Sequence, residues 1–395
     1  YTQNDGKSWS RMKGSFPTVP VYDIKIKNSD LVVATHGRSF WILDDFSPLR
    51  EIKPSQNEIQ LFKVRDTIRT RLAWSAGSSF TKEGINYGPA FGIGGSSEMT
   101  TLSNGQRVRR YLDVGENPPN GALIHYFLPT GFAENFELSI FDPKGLLVKS
   151  YQVDANKPTS NTGPSANRGL NRFVWNLKYQ GPTTLDASLD EKKNKPLAQK
   201  SQEIDGPSVA PGNYSVVLHS NGKKIQSSFN VLMDPRLKIS KTALEKQLSL
   251  LQKLYASLSN LNGAVNQLRQ MKKRLLEIEK NLSPKHTALK TSINSILEKL
   301  KEIEVALVDP QRESHRDVLR HSGGLSDSLT DLISLVSIGD EAPTSQAIAV
   351  SQQVIGKVDE KISGLATIVA KDISSFSSTL KKSDLSLLEP HLLLI

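Results

Sequence analysis

Few residues in this sequence have types and spacing suited to chemistry, and none forms a catalytic set. The acidic doublet Asp44-Asp45 is the first candidate, because glycosidases use two carboxylates flanking the scissile bond. On a strand, however, adjacent side chains point to opposite faces and converge only through a bulge. His36 and Arg38 lie in a turn beside Trp41. Imidazole, guanidinium and indole together could line a sugar or anion site, or they could serve as turn and cap residues. The 7 histidines (His36, His125, His219, His286, His315, His321 and His391) are scattered, and none pairs with a carboxylate at the helical spacing of a zinc site. Gly92-Ile93-Gly94-Gly95 lacks the Lys-Ser/Thr that a phosphate loop requires, and no apolar strand precedes it. The nucleophile elbow G-x-S-x-G is missing from the sequence. With 0 cysteines, disulfides, thiolate metal sites and cysteine nucleophiles are excluded. The expectation is therefore no catalytic residue, no metal ligand and no cofactor, with His36, Arg38 and Trp41 as the ligand-binding candidates.

The elements that would position those residues begin at the N-terminus. Thr2-Gln3-Asn4-Asp5-Gly6-Lys7-Ser8-Trp9 fits the Asp-box pattern (S/T)-x-(D/N)-x-G-x-(S/T)-W. Its structural residues are Thr2, Asn4, Gly6, Ser8 and Trp9. A short polar side chain at Asn4 can bond turn amides, Gly6 can take positive φ, and Trp9 is expected to pack under the turn. Val21 to Ile26 alternates with period two, Leu31 to Thr35 follows, and Phe40 to Asp44 makes a third strand. Asn28-Ser29-Asp30 and His36-Gly37-Arg38 supply the turns. Three short strands with tight turns make most of one β-propeller blade, and a blade cannot bury its own faces. The reading is a C-terminal piece of a longer protein, its partner blades lying upstream.

The Asp box followed by "DLVVATHGRSFWILDDFSPLREI" resembles the last blade and exit of sortilin-N-terminal-like, BNR-repeat propeller proteins of bacteria. The resemblance continues through "NPPNGALIHYFL", "GLNRFVWNLKYQGP", "APGNYSVVL", "FNVLMDPR" and "GDEAPTSQ", so it spans nearly the whole chain. It implies an exported protein, extracellular or in the periplasm or cell envelope. Such proteins are often labelled glycosyl hydrolases because Asp-box propellers include sialidases and xyloglucanases, a likeness at the level of fold.

The segment 51–235 reads as an immunoglobulin-like β-sandwich. Its strands are Glu58–Phe62, Ala122–Leu128, Phe136–Phe141, Leu146–Val153, Asn171–Leu177, Tyr214–Leu218 and Ile225–Leu232. Residues 75–106, 154–168 and 183–208 are rich in Gly, Ser, Asn, Pro and Lys and read as loops or disordered excursions. The segment 236–395 reads as a four-helix antiparallel bundle. From Leu244 to Leu282 apolar residues recur at steps of three and four, heptad-like. Ser240 is the expected N-cap, and Ser283-Pro284 ends this helix and starts the next. The third helix follows Gly323-Gly324, and a fourth starts near Thr344. The fold class is thus multidomain β plus α: a terminal propeller blade over 1–50, a sandwich, and a helical bundle.

The formal charge of +10 is not concentrated. Residues 1–235 hold 28 Lys/Arg against 22 Asp/Glu, and residues 236–395 hold 22 against 18. A nucleic-acid binder clusters its charge, so no nucleic-acid partner is expected, and no apolar run reaches the length of a membrane span. Every recognisable motif is structural. The function expected is a non-catalytic interaction or scaffold region of an exported propeller protein that binds peptide or glycan. The alternative is an accessory end of a secreted glycoside hydrolase whose carboxylates lie upstream. The heptad of the first long helix also suggests self-association through the bundle.

Overall fold

A computed structural model describes residues 1–11, 16–53, 56–70, 83–87, 96–101, 107–112, 115, 118–155, 163–189, 205–309 and 323–382. Gly92–Gly95, His315, His321 and His391 lie outside the described residues. The chain is of the β plus α class: strands fill the part up to Leu232 and long helices the part after it.

The first sheet is an antiparallel meander of β1 (Val21–Lys27), β2 (Asp30–Thr35) and β3 (Phe40–Leu43). After it come α1 (Pro48–Glu51), β4 (Gln60–Leu61) and β5 (Thr67–Ile68). Next are β6 (Gly84–Asn86), β7 (Ser97–Thr101) and β8 (Arg107–Tyr111), which form their own antiparallel sheet. Here the loop reading of 75–106 is corrected. The run Ser97 to Thr101 buries Ser97 and Met99 and leaves Glu98 less covered, a two-residue period short enough to vanish among flanking Gly and Ser.

The remaining strands are β9 (Ala122–Leu128), β10 (Phe136–Phe141), β11 (Leu147–Val153), β12 (Gly169–Trp175), β13 (Gly212–Ser220) and β14 (Lys223–Leu232). They assemble as a five-stranded sheet, β11-β10-β13-β14-β5, and a three-stranded sheet, β12-β9-β4. Only the β14–β5 pairing in these two sheets is parallel. Ile124, Tyr126, Phe173 and Trp175 of one sheet share a core with Leu138, Ile140, Tyr214, Val216 and Phe229 of the other. Trp175 is fully buried, 5.8 Å from the Tyr214 ring and 6.2 Å from Phe229. Its indole N–H donates to the Lys178 carbonyl at 3.1 Å, so burial leaves no donor unpaired.

The helices are α2 (Lys241–Asn281), α3 (Thr287–Val308), α4 (Gly324–Val336), α5 (Ser345–Ile368) and α6 (Ser374–Lys382). A π turn at Val369–Ile373 joins the last two. Ser240 and Thr344 cap α2 and α5, their hydroxyls accepting from the amides of Ala243 and Ala347 at 3.1 Å each. Ser283-Pro284 does not open α3. Residues 283–286 form a turn closed by the His286 N–H to Ser283 carbonyl bond, and the helix starts at Thr287. Each of α2, α3, α4 and α5 packs on the other three. Leu254, Leu258, Leu261, Val265, Leu268 and Leu275 of α2 are buried in that shared core, so the heptad stripe is covered within the chain. Gly324 begins α4 at φ +72°, where a β-carbon would lie 2.7 Å from the Leu307 carbonyl oxygen, so this close approach requires glycine. No helix of the described residues is long and apolar enough to cross a membrane.

The segment 183–189, read above as loop, is ordered against α2. The Thr183 amide donates to Ser259 and the Asp186 amide to Asn266, while Asn262 and Asn266 donate back to the Thr183 and Thr184 carbonyls. Ser259, Asn262 and Asn266 recur at steps of three and four, a polar stripe beside the apolar one. Side-chain bonding to backbone orders this strap, together with Leu185, which packs half-buried against the helical core.

Candidate functional site

The β1–β3 sheet carries the ligand-binding candidates, and its geometry sets it apart. Residues directly opposite in antiparallel strands share a face. Ile26, Leu31 and Leu43 therefore form one row, and Ile24, Val33 and Trp41 the next, on a wholly apolar face. The other face holds the rows Lys25, Val32, Ile42 and Asp23, Ala34, Phe40. Among the described residues both faces are widely exposed along the edge strands: every residue of β1 is exposed, with Ile26 at 60% and Phe40 of β3 at 73%, while β2 between them is half-buried.

The turn between β2 and β3 is closed by Thr35, whose amide and hydroxyl both donate to the Ser39 carbonyl, at 3.3 and 2.6 Å. Trp41 donates its indole N–H back to the Arg38 carbonyl at 3.0 Å and takes the edge of Phe16 at 5.5 Å. His36 lies 5.1 Å from the Tyr22 ring, at the irregularity between Val21 and Asp23. The structure thus joins Trp41 to Arg38 through a backbone bond that shapes the turn, and leaves His36 in a separate aromatic pair. His36 and Arg38 are exposed. Arranged this way, the turn offers rings and a guanidinium to a flat or acidic partner.

The Thr2–Trp9 segment is a hairpin at the edge of this region. Thr2 Oγ1 accepts from the amides of Asn4 and Gly6, and Asn4 Oδ1 accepts from Ser8. Gly6 sits at φ +85°. Gln3 Nε2 ties the hairpin to α1 by donating to the Leu49 and Ile52 carbonyls, each at 2.8 Å. Trp9 does not pack under the turn but is 74% exposed.

Asp44 and Asp45 follow β3 and diverge. Asp44 faces Arg172 of β12 at 3.8 Å. Asp45 takes a left-handed backbone, φ +48°, and turns inward. The separation thus comes from this backbone reversal past the strand end, not from strand alternation. Asp45 Oδ1 accepts from the Ser47 hydroxyl at 2.6 Å, and its Oδ2 lies 3.6 Å from His125 Nδ1, beyond hydrogen-bond range. The Asp45 amide donates to Asp30, and Asp30 is held by Arg65 at 2.6 Å. This polar network, Asp30, Asp44, Asp45, Arg65, His125 and Arg172, fastens the open sheet to the β9 side of the closed core.

Burial lowers the His125 pKa, with Asp45 opposing and Arg172 and Arg65 adding to the shift. The imidazole is therefore neutral at neutral pH, and its contact with Asp45 is not an ion pair. Sequence reading missed His125, Arg65, Arg172 and Asp30 as a unit. One signal was available: a lone histidine in the apolar run Ala122 to Leu128. In family models, curated proteins and solved structures, nothing matches the chain, so the sortilin-like resemblance rests on the motifs alone.

Proposed function

We propose that this chain is a non-catalytic interaction and scaffold region of an exported β-propeller protein. In this reading β1–β3 is one blade of an Asp-box propeller, and neighbouring blades of the same protein cover its two faces. The core of β4, β5 and β9–β14 is an immunoglobulin-like β-sandwich that braces the blade, and α2–α5 form an antiparallel helical bundle behind it. The propeller contacts a peptide or glycan partner. His36, Arg38 and Trp41 stand at the end of the blade where such a partner would arrive.

One observation carries the reading: a three-stranded sheet with one apolar face and an edge strand exposed along its whole length, fastened at one end by a polar network around the buried Asp45 and His125. Contiguous exposed apolar area of this kind marks an interaction surface. The divergence of Asp44 and Asp45 supports a non-catalytic role for this stretch, since both carboxylates are engaged with structural partners. The test is a glycan array, a peptide library and a glycosidase screen on the product that includes the upstream coding sequence. Binding without turnover, weakened by Arg38→Ala, is the expected result; hydrolysis of any glycoside by a clean preparation would overturn the reading.

A further inference from the structure

Away from β1–β3, a cavity of about 380 Å³ opens where the β part meets the helices. That volume falls in the range of small-molecule sites, and junctions between domains are where such sites concentrate. Its helical wall comes from α2, where Gln247, Leu251 and Tyr255 recur every four residues and so share one face. The opposite wall comes from the ends of β5 and β12, at Arg69 and Asn176 to Lys178, and from residues 206–208.

The walls are braced before any ligand arrives. Arg69 Nη2 meets Asp340 at 2.8 Å, with side chains only 12% and 8% exposed. Gln247, itself buried, donates to the Val336 and Gly339 carbonyls at 2.7 and 2.6 Å. The charges are also settled. Arg69 is matched by Asp340, and Lys178 by Asp205 at 3.3 Å. Each lining cation thus already faces a carboxylate, while the buried Arg69 Nε keeps one N–H without a partner among the described residues, a donor for a ligand oxygen.

The cavity presents neutral hydrogen-bonding groups beside apolar surface. The hydroxyls of Tyr255, Ser208 and Ser337 line it and make no hydrogen bond among the described residues. Leu177 and Leu251 give it an apolar patch next to the Tyr255 ring. Hydroxyls that donate and accept, next to carbon surface and without net charge, complement a molecule built from the same groups. We infer that this cavity binds a neutral polyhydroxylated ligand the size of a mono- or disaccharide, independently of what covers β1–β3.

The test uses the 395-residue chain with glucose, galactose, mannose, maltose and lactose as probes and glucuronate as the charged comparison, read by calorimetric titration and ligand-observed NMR. Saturable binding of at least one neutral sugar is expected. Tyr255→Phe, which deletes a single hydroxyl, should weaken it by about three- to tenfold. Ser208→Phe, which fills the mouth from an exposed position, should abolish it. Both variants are to be compared at unchanged melting temperature, and whichever folds suffices. Binding of glucuronate alone, binding unmoved by the folded variants, or no saturable binding of any neutral sugar would each overturn the inference.

Discussion

β1 and β9 are both seven-residue strands, and they end in opposite environments. Every residue of β1 is exposed, whereas six of the seven in β9 are buried. β9 is the central strand between β12 and β4, with one face in the shared core and the other against the segment that leaves β3. β1 is an edge strand whose seven residues are all exposed among the described residues, while β2 beside it is half-buried throughout. The difference teaches that period and propensity decide that a strand forms, while burial depends on what other segments supply. The closed core is self-sufficient; the open sheet is held by hydrogen bonds and charges at one end.

Substitutions should separate these two modes of stabilisation. The largest effect is expected from Trp175→Ala, which empties the centre of the closed core and should cost about 3–5 kcal/mol in denaturant unfolding. Asp45→Ala comes next. It removes the acceptor of the Ser47 hydroxyl and amide, and should cost about 1–3 kcal/mol while speeding amide exchange in β1–β3 before the helices respond. A cost spread evenly over both regions would break the distinction.

The third effect has a fixed sign. The folded chain holds His125 below its ordinary value of 6.5, so on acidification the unfolded chain takes up the proton first. Stability is then unaffected above about pH 6.5 and falls as the pH drops through 6.5 toward the folded value. Melting curves across that window should show the fall in the wild type and a smaller one in His125→Gln. An equal fall in both would remove the histidine from the account. The smallest effect is expected from Ile24→Lys with Ile26→Lys, within about 0.5 kcal/mol, because neither side chain has a core to leave. A core-sized loss would mean that the sheet is covered by the chain's own residues.

The β-then-α order, most long strands and the α2 stripe were legible because their periods are set by local geometry. Leu254 to Leu275 could be assigned to a buried face from spacing alone. Ser259, Asn262 and Asn266 could not be assigned to the strap, since side-chain to backbone bonding leaves no periodic apolar mark on the segment that receives it. The polar network was equally hidden: Asp30, Asp45, Arg65, His125 and Arg172 come from five separated places in the chain, and only the fold brings them together. The exposure of Trp9 had the same cause, because a motif names the turn but not the surface beneath it. Of the candidate ligand residues, the turn holding His36, Arg38 and Trp41 was readable from its Gly and polar residues, but the split between the Trp41–Arg38 bond and the Tyr22–His36 pair was not.

The measurement closest to the central claim is hydroxyl-radical footprinting of Tyr22, Ile24, Ile26, Phe40 and Ile42 in this chain and in the longer protein that the propeller proposal requires. These side chains should label strongly here and be shielded in the longer protein, while Trp175 stays shielded in both. Equal labelling of the sheet in the two proteins would contradict a blade whose faces are completed by its neighbours.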